Sequence, residues 1–176
     1  KVQPLGDLLK LAVLDENRTD REIDTSEVDD LVTYLRVRYD GFCEAGEEVS
    51  TTDLTSQTLT RVQAGDLVFS HINAIHGAVA VVPEKFDGLV VTSEYTVCRP
   101  STDLEANVVW ALVRSPESRA EMLLLATGIG RTRVRWSELK KLQLPVPDKS
   151  VRRRIDTAVQ RANDAEAEMR RLRSEA

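Results

Sequence analysis

Two groups of side chains in this chain carry hydrogen-bonding and cationic chemistry at telling spacings. Arg131, Arg133 and Arg135 alternate with Thr132 and Val134, and in extended backbone a period of two puts all three guanidinium groups on one side. Guanidinium forks suit phosphate oxygens and the acceptor edge of guanine, and Thr132 adds a hydroxyl. Gly128 and Gly130 precede them and let backbone N–H groups come close to an anion. The second group is the elbow Ser70-His71-Ile72-Asn73 with His76, set between apolar runs at 66–72 and 78–82. Asn73 matches adenine by geometry. Arg36 and Arg38 form a third, smaller group of candidates for phosphate contacts.

The charge balance supports this local picture rather than a global one. The chain has a net charge of −5, yet residues 128–154 hold nine bases against Glu138 and Asp148, while residues 1–60 hold 14 acids against six bases. Because salt screens charge beyond roughly 8–10 Å, a polyanion responds to the basic stretch and not to the total.

The chemistry of an enzyme is harder to assemble. Glu138-Leu139-Lys140 has the Glu-x-Lys spacing of a metal-dependent nuclease, but it needs a second carboxylate, for which Asp66 and Glu94 are the nearest candidates. His71 and His76 with the isolated Cys43 and Cys98 fit no usual zinc spacing. No glycine-rich nucleotide loop follows a strand, and no Asn/Asp-Pro-Pro-aromatic motif of a DNA methyltransferase is present. No cofactor or metal is expected. Two cysteines in apolar surroundings make no disulfide framework, which fits a reducing cytoplasm. No apolar run is long enough to span a bilayer. The chain starts at Lys1 without an initiator Met, as an excised part of a longer polypeptide would.

The elements that must position these groups follow from pattern. Leu5, Leu8, Leu9, Ala12 and Val13 predict a helix over 4–14, followed by a polar loop over 15–30. Leu35, Val37 and Tyr39 alternate with Arg36 and Arg38 in a half-buried strand over 32–39, and 44–50 reads as turn and loop. Strands are expected at 66–72, 78–82 and 89–99, the last two stopped by Pro83 and Pro100. Thr102-Asp-Leu-Glu105 has the capping-box spacing for a helix over 103–113, and Ser115-Pro116 opens another to about Ala126. Residues 132–136 are expected to be extended, and 142–146 to form a last short strand. Trp110 and Trp136 read as core anchors. The resulting fold class is α+β: a small twisted mixed or antiparallel sheet flanked by helices.

Beyond the stiff junction 145–150, Val151, Ile155, Ala158, Ala162, Ala165, Met169 and Leu172 recur at spacings of 4 and 3. That heptad seam predicts a protruding coiled-coil-type helix pairing with another helix, close at its three alanines. The chain thus divides into a domain over 1–147 and a helix over 148–176.

The order of Leu5-Gly6-Asp7, Gly65-Asp66-Leu-Val-Phe-Ser70, Gly77 before a strand, Gly128-Ile-Gly130 with a basic strand, Leu142-Gln-Leu-Pro-Val-Pro147 and a long charged helix resembles the target-recognition domain of type I restriction-modification DNA-specificity (S) subunits with the start of their spacer helix. Here Pro147-Asp-Lys-Ser-Val-Arg-Arg-Arg-Ile155 lacks the Gln common at the start of that helix. The resemblance implies a protein that is not an enzyme. It implies that the chain reads one half of a split double-stranded DNA site, completed by a second recognition domain in the same chain or by a homodimer partner. It also implies methyltransferase (M) and restriction (R) subunits as partners. A protein-interaction scaffold built on the heptad helix is the alternative, and a metal-dependent nuclease a more distant one.

Overall fold

The computed structural model describes residues 1–12, 21–26, 29–54, 58–101, 103–128 and 132–175. In chain order the elements are β1 (Val2–Pro4), α1 (Leu5–Leu8), β2 (Leu9–Leu11), β3 (Glu22–Asp24), β4 (Leu31–Val37), β5 (Cys43–Ser50), β6 (Thr58–Arg61), β7 (Leu67–Ser70), β8 (Val79–Val81), β9 (Val90–Thr92), β10 (Tyr95–Pro100), α2 (Ala106–Val113), α3 (Pro116–Leu125), α4 (Trp136–Leu139), β11 (Gln143–Pro145) and α5 (Lys149–Ser174). The α+β class expected from pattern holds, but the strands divide between two packed sheets and a small ribbon.

Among the described residues the first sheet has the order β2-β10-β7-β8 and is antiparallel throughout. The second has the order β3-β6-β9-β4-β5 and is antiparallel except where β4 meets β9 in parallel. Strands β1 and β11 pair beside them and tie the N-terminus to the foot of α5. The first sheet is covered on both faces, which explains why β7 is an unbroken apolar run. Leu67 and Phe69 enter a core with α2, α3 and α4, whereas Val68 points the other way, against Leu35, Val91 and Val97 of the neighbouring strands.

Several expectations from pattern give way to pairing. The helix expected over 4–14 ends at Leu8, and Leu9–Leu11 runs extended along β10. Leu5, Leu8 and Leu9 are still all buried, so the apolar spacing is satisfied by a short turn plus an edge strand. Together with Cys43, residues 44–50, expected as loop, form β5. It pairs with β4 across a register shift between Thr33 and Leu35, and its acids protect an edge strand from further pairing. The stretch 89–99 is two strands hinged at Ser93-Glu94. Strands β3 and β6 had no sequence signal. Helix α2 starts at Ala106 without a side-chain cap, and Thr102 of the capping box lies outside the described residues. Helix α3 starts where expected: Ser115 Oγ accepts from Ser118 N and Pro116 occupies the first turn.

The motif glycine near the N-terminus has a steric reason. A Cβ on Gly6 would lie 3.0 Å from Lys140 Cβ and 3.1 Å from Lys140 O, where the two backbones are bonded through Gly6 N–H to Lys140 O. Asp66 of the second motif has an ionic reason. It is wholly buried and takes Arg21 Nη1 at 2.6 Å and Arg99 Nε at 2.7 Å, while Gln63 N–H donates to it at 2.7 Å. Removing one partner of a buried pair leaves the others uncompensated. Asp66→Ala is expected to lower unfolding stability by about 3–5 kcal/mol in urea titration, with Arg99→Ala milder because that side chain is partly exposed.

Candidate nucleic-acid interface

Strand β7 leaves the first sheet at Ser70 and turns through 71–73 into one turn of 3-10 helix, Ala74–His76. Gly77 then returns the chain to β8 in the left-handed region, with φ of 99°. A Cβ there would lie 2.7 Å from Tyr39 O, so the position needs glycine twice over. Within this elbow Ser70 and His71 are turned inward, at 6% and 8% exposure. Ser70 Oγ accepts from Asn73 N, and the His71 ring meets Thr96 Oγ1 at 2.9 Å. Asn73 is half-buried and His76 is exposed, edge-on to Tyr39 with ring centroids 6.2 Å apart. Of the four elbow candidates, two hold the loop's shape and two reach the surface.

The basic segment is fastened to this elbow. Thr127 and Arg133 exchange backbone hydrogen bonds at 2.9 and 2.8 Å, and Val134 N–H donates to His71 O at 2.8 Å. Val134 is buried, so the alternation expected from sequence places Arg133 and Arg135 on the opposite side. Arg131 lies outside the described residues, and Thr132 is half-buried. Arg135 is exposed and stands at the N-terminal boundary of α4. Arg133 forms a two-point ion pair with Glu94: Nε to Oε2 at 2.9 Å and Nη2 to Oε1 at 3.0 Å. Those bonds hold the Glu94 carboxyl below its usual range and raise the Arg133 guanidinium. Glu94 is the residue the sequence reading missed in this role. A Ser-Glu step between two β runs carries no turn signal, and the pairing spans 39 residues.

Arg36 and Arg38 are answered within their own hairpin. Arg36 pairs with Glu47 at 3.2 Å, and Arg38 with Asp40 at 2.5 Å and Glu44 at 3.9 Å. The acids of β5, not read as a strand, supply most of these partners. Both tryptophans pack against the main core, and Trp110 also donates its indole N–H to Val79 O at 2.9 Å.

The carboxylates offered for a nuclease site do not gather. Asp66 is enclosed by Arg21 and Arg99, Glu94 by Arg133, and Glu138 accepts from Ser137 Oγ on α4. No group of three metal-ligating side chains occurs among the described residues.

Helix α5 presents two faces. Ile155 packs against the main core and Val159 is buried. Asn107 donates to Asp156 at 2.9 Å, and Arg170 Nη1 reaches Cys43 O at 3.1 Å. Ala158, Ala162, Ala165, Met169 and Leu172 of the heptad seam are exposed. The seam is thus split: its first turns belong partly to the domain, and its alanines face outward. No helix among the described residues is long and apolar enough to cross a membrane.

Together the fold and rim define an α+β scaffold that presents a polar, partly cationic edge and a long helix with one uncovered stripe. No family model and no curated protein matches the sequence. Among solved structures, the HsdS subunit from Thermoanaerobacter tengcongensis is similar over 100% of this chain and 45% of its own, with a TM-score of 0.72 at 20% identity. A chain of a type I R-M system, from work on its complex assembly and conformational transition, is similar over 99% of this chain and 45% of its own, with a TM-score of 0.70 at 19% identity. The chain therefore has the fold of part of an HsdS subunit and spans less than half the length of either solved chain.

The inward position of His71 makes a testable pH effect. Burial holds its imidazole below the ordinary value of 6.5, against the opposing pull of Glu94. The unfolded chain then takes the proton first, so the stability this group contributes is complete above about pH 6.5 and falls as pH drops toward and through the folded value. The unfolding midpoint is expected to decline between pH 7 and pH 5. His71→Gln should remove part of that slope, as read by thermal unfolding across a pH series.

Proposed function

We propose that this chain is a DNA-recognition domain of a type I restriction-modification specificity subunit, joined to part of a spacer helix. The observation that carries this reading is the likeness to an HsdS subunit along the whole chain, β11 and α5 included, at under half of that subunit's length. One domain and one helix then correspond to one half of a two-domain reader. A second recognition domain, in the same polypeptide or in a homodimer partner, would complete a split site. In this reading the chain works in the cytoplasm, performs no catalysis and needs no cofactor. Methyltransferase and restriction subunits supply the reactions.

Double-stranded DNA would lie along the rim formed by the 132–135 limb and the 73–76 elbow. Arg135 is the described cation best placed to meet a base edge or phosphate, since it is exposed. Arg131 and Thr132 flank it in sequence. Asn73 and His76 supply further polar contacts. Ser70, His71 and Arg133 act by shaping the rim, and Arg36 and Arg38 would meet phosphates only by exchanging their carboxylate partners. Binding is expected to weaken steeply with salt, because each phosphate neutralised releases a counterion. Arg135→Ala should reduce affinity for the preferred duplex about fivefold to a hundredfold, as a lost arginine contact of roughly 1–3 kcal/mol implies. Titration of the chain against a duplex selected from a random pool, at several salt concentrations, measures both. Affinity that ignores salt, or no preferred sequence, would sink the reading.

The scaffold alternative draws on the exposed Ala158, Ala162 and Ala165 stripe, which suits close approach of a helix. Within the recognition reading the same stripe pairs with the second spacer helix, and Met169 and Leu172 extend it. Ala162→Glu is expected to abolish self-association at high concentration in sedimentation experiments while leaving the unfolding midpoint unchanged.

A further inference from the structure

Glu94 is out of place on a surface that meets a polyanion. Its carboxylate is 44% exposed and would repel a phosphate brought to the rim. Yet it stands at the junction of three segments that the sequence keeps far apart. Its backbone carbonyl accepts His71 N–H at 2.9 Å, its side chain grips Arg133 at two points, and the His71 carbonyl accepts Val134 N–H. The β9–β10 turn, the elbow and the basic limb therefore meet around one acid.

We propose that Glu94 is a positioning residue for sequence discrimination: through Arg133 it locks the 132–135 limb to the elbow, so that Arg135 addresses base edges in one register. This inference rests on the DNA-recognition reading. The geometry favours it over two other roles. A planar fork held at 2.9 and 3.0 Å fixes the orientation of the Arg133 side chain, and not merely its charge. Arg133 is only 24% exposed, so it is held in the wall of the rim rather than extended from it. The limb it holds is also tied by the two backbone bonds between Thr127 and Arg133, by Val134 N–H on His71 O, and by Arg135 at the start of α4. Backbone bonds without this side-chain fork would leave the limb a wider range of orientations. Phosphate contacts tolerate that range, whereas bidentate contacts to bases do not.

Positioning and simple charge predict opposite outcomes when the acid is removed. If Glu94 merely repels DNA, Glu94→Ala tightens binding to every duplex alike. If it positions the limb, Glu94→Ala leaves affinity for a scrambled duplex equal or higher and lowers affinity for the preferred one.

The test starts by selecting a preferred duplex from a random pool with the unmodified chain, then titrating that duplex and its scrambled form against Glu94→Ala, Arg133→Ala, the double variant and Glu94→Gln. The expected result is a fall of tenfold or more in the preferred-to-scrambled ratio for each Ala variant, at an unchanged thermal midpoint. The double variant should be no worse than either single one, because the two residues act as a unit. Glu94→Gln, which keeps one acceptor oxygen and the side-chain shape, should give a smaller loss in the same direction, and it carries the test if an Ala variant fails to fold. A ratio within twofold of the unmodified chain, or single losses that multiply in the double variant, overturns the inference and leaves the recognition reading standing. An unmodified chain that enriches no sequence removes both.

Discussion

The buried carboxylate of Asp66 organises this molecule. It lies at the start of β7 and gathers Arg21, from just before β3, and Arg99, from β10. Gln63 completes the cluster, with its Oε1 accepting from Arg21 at 3.0 Å and Arg99 at 3.1 Å. Because Arg21 directly precedes the strand that edges the second sheet, while Asp66 directly precedes β7 and Arg99 lies in β10 of the first, the cluster joins the two sheets at a fixed point. An unpaired charge in such a place would be prohibitively costly, so the sheets are held in the arrangement that brings all three groups together. Hydrophobic contacts between the sheets are non-directional, and the ionic cluster supplies the direction they lack.

From that point the same two strands carry the order outward. The register of β7 on β10 runs from Leu67 opposite Cys98 to Ser70 opposite Tyr95, so the cluster and the rim sit at opposite ends of one strand pair. At roughly 3.3 Å per residue the separation is about 10–13 Å of rigid sheet. The elbow that follows Ser70 and the turn that precedes Tyr95 are therefore set side by side before any loop chemistry acts. Glu94, His71 and Arg133 then knit the basic limb to them. The rim is polar at its surface, while its inner contacts include backbone bonds, the side-chain bonds of Ser70 and His71 and the Glu94–Arg133 ion pair, the kind of support that keeps a surface in a single shape.

The long helix shows how one element serves two needs. One stripe, with Ile155, Val159 and Asp156, closes the domain against α2 and the main core. Asp148 anchors its start by accepting from Ser150 N and Val151 N. The adjacent alanine stripe remains uncovered. A helix fixed along one face projects the other in a defined direction.

Elements whose cause is local were legible from sequence. The Ser115-Pro116 start of α3, the Leu35–Val37 alternation in β4, the apolar runs of β7 and β8, and the helical period of α5 each depend on neighbours within a few residues, whereas Tyr39, expected on the buried face, lies beyond β4 and is exposed. The basic limb was also legible as a cluster of charge. What escaped depended on partners distant in the chain. Leu9–Leu11 became a strand because β10 offered it hydrogen bonds, and the polar stretch 44–50 became one because β4 did. Ser70 and His71 have the chemistry of reading residues, yet Thr96, Asn73 and burial turned them inward. Arg133 has the type and spacing of a DNA contact, but Glu94, brought near by the β9–β10 turn, takes its guanidinium in a two-point ion pair. Composition and period settled which segments are apolar, helical or basic, because those properties are set by adjacent residues. Which polar groups face solvent and which face each other was decided only on folding, since long-range pairing gives each charge its partner.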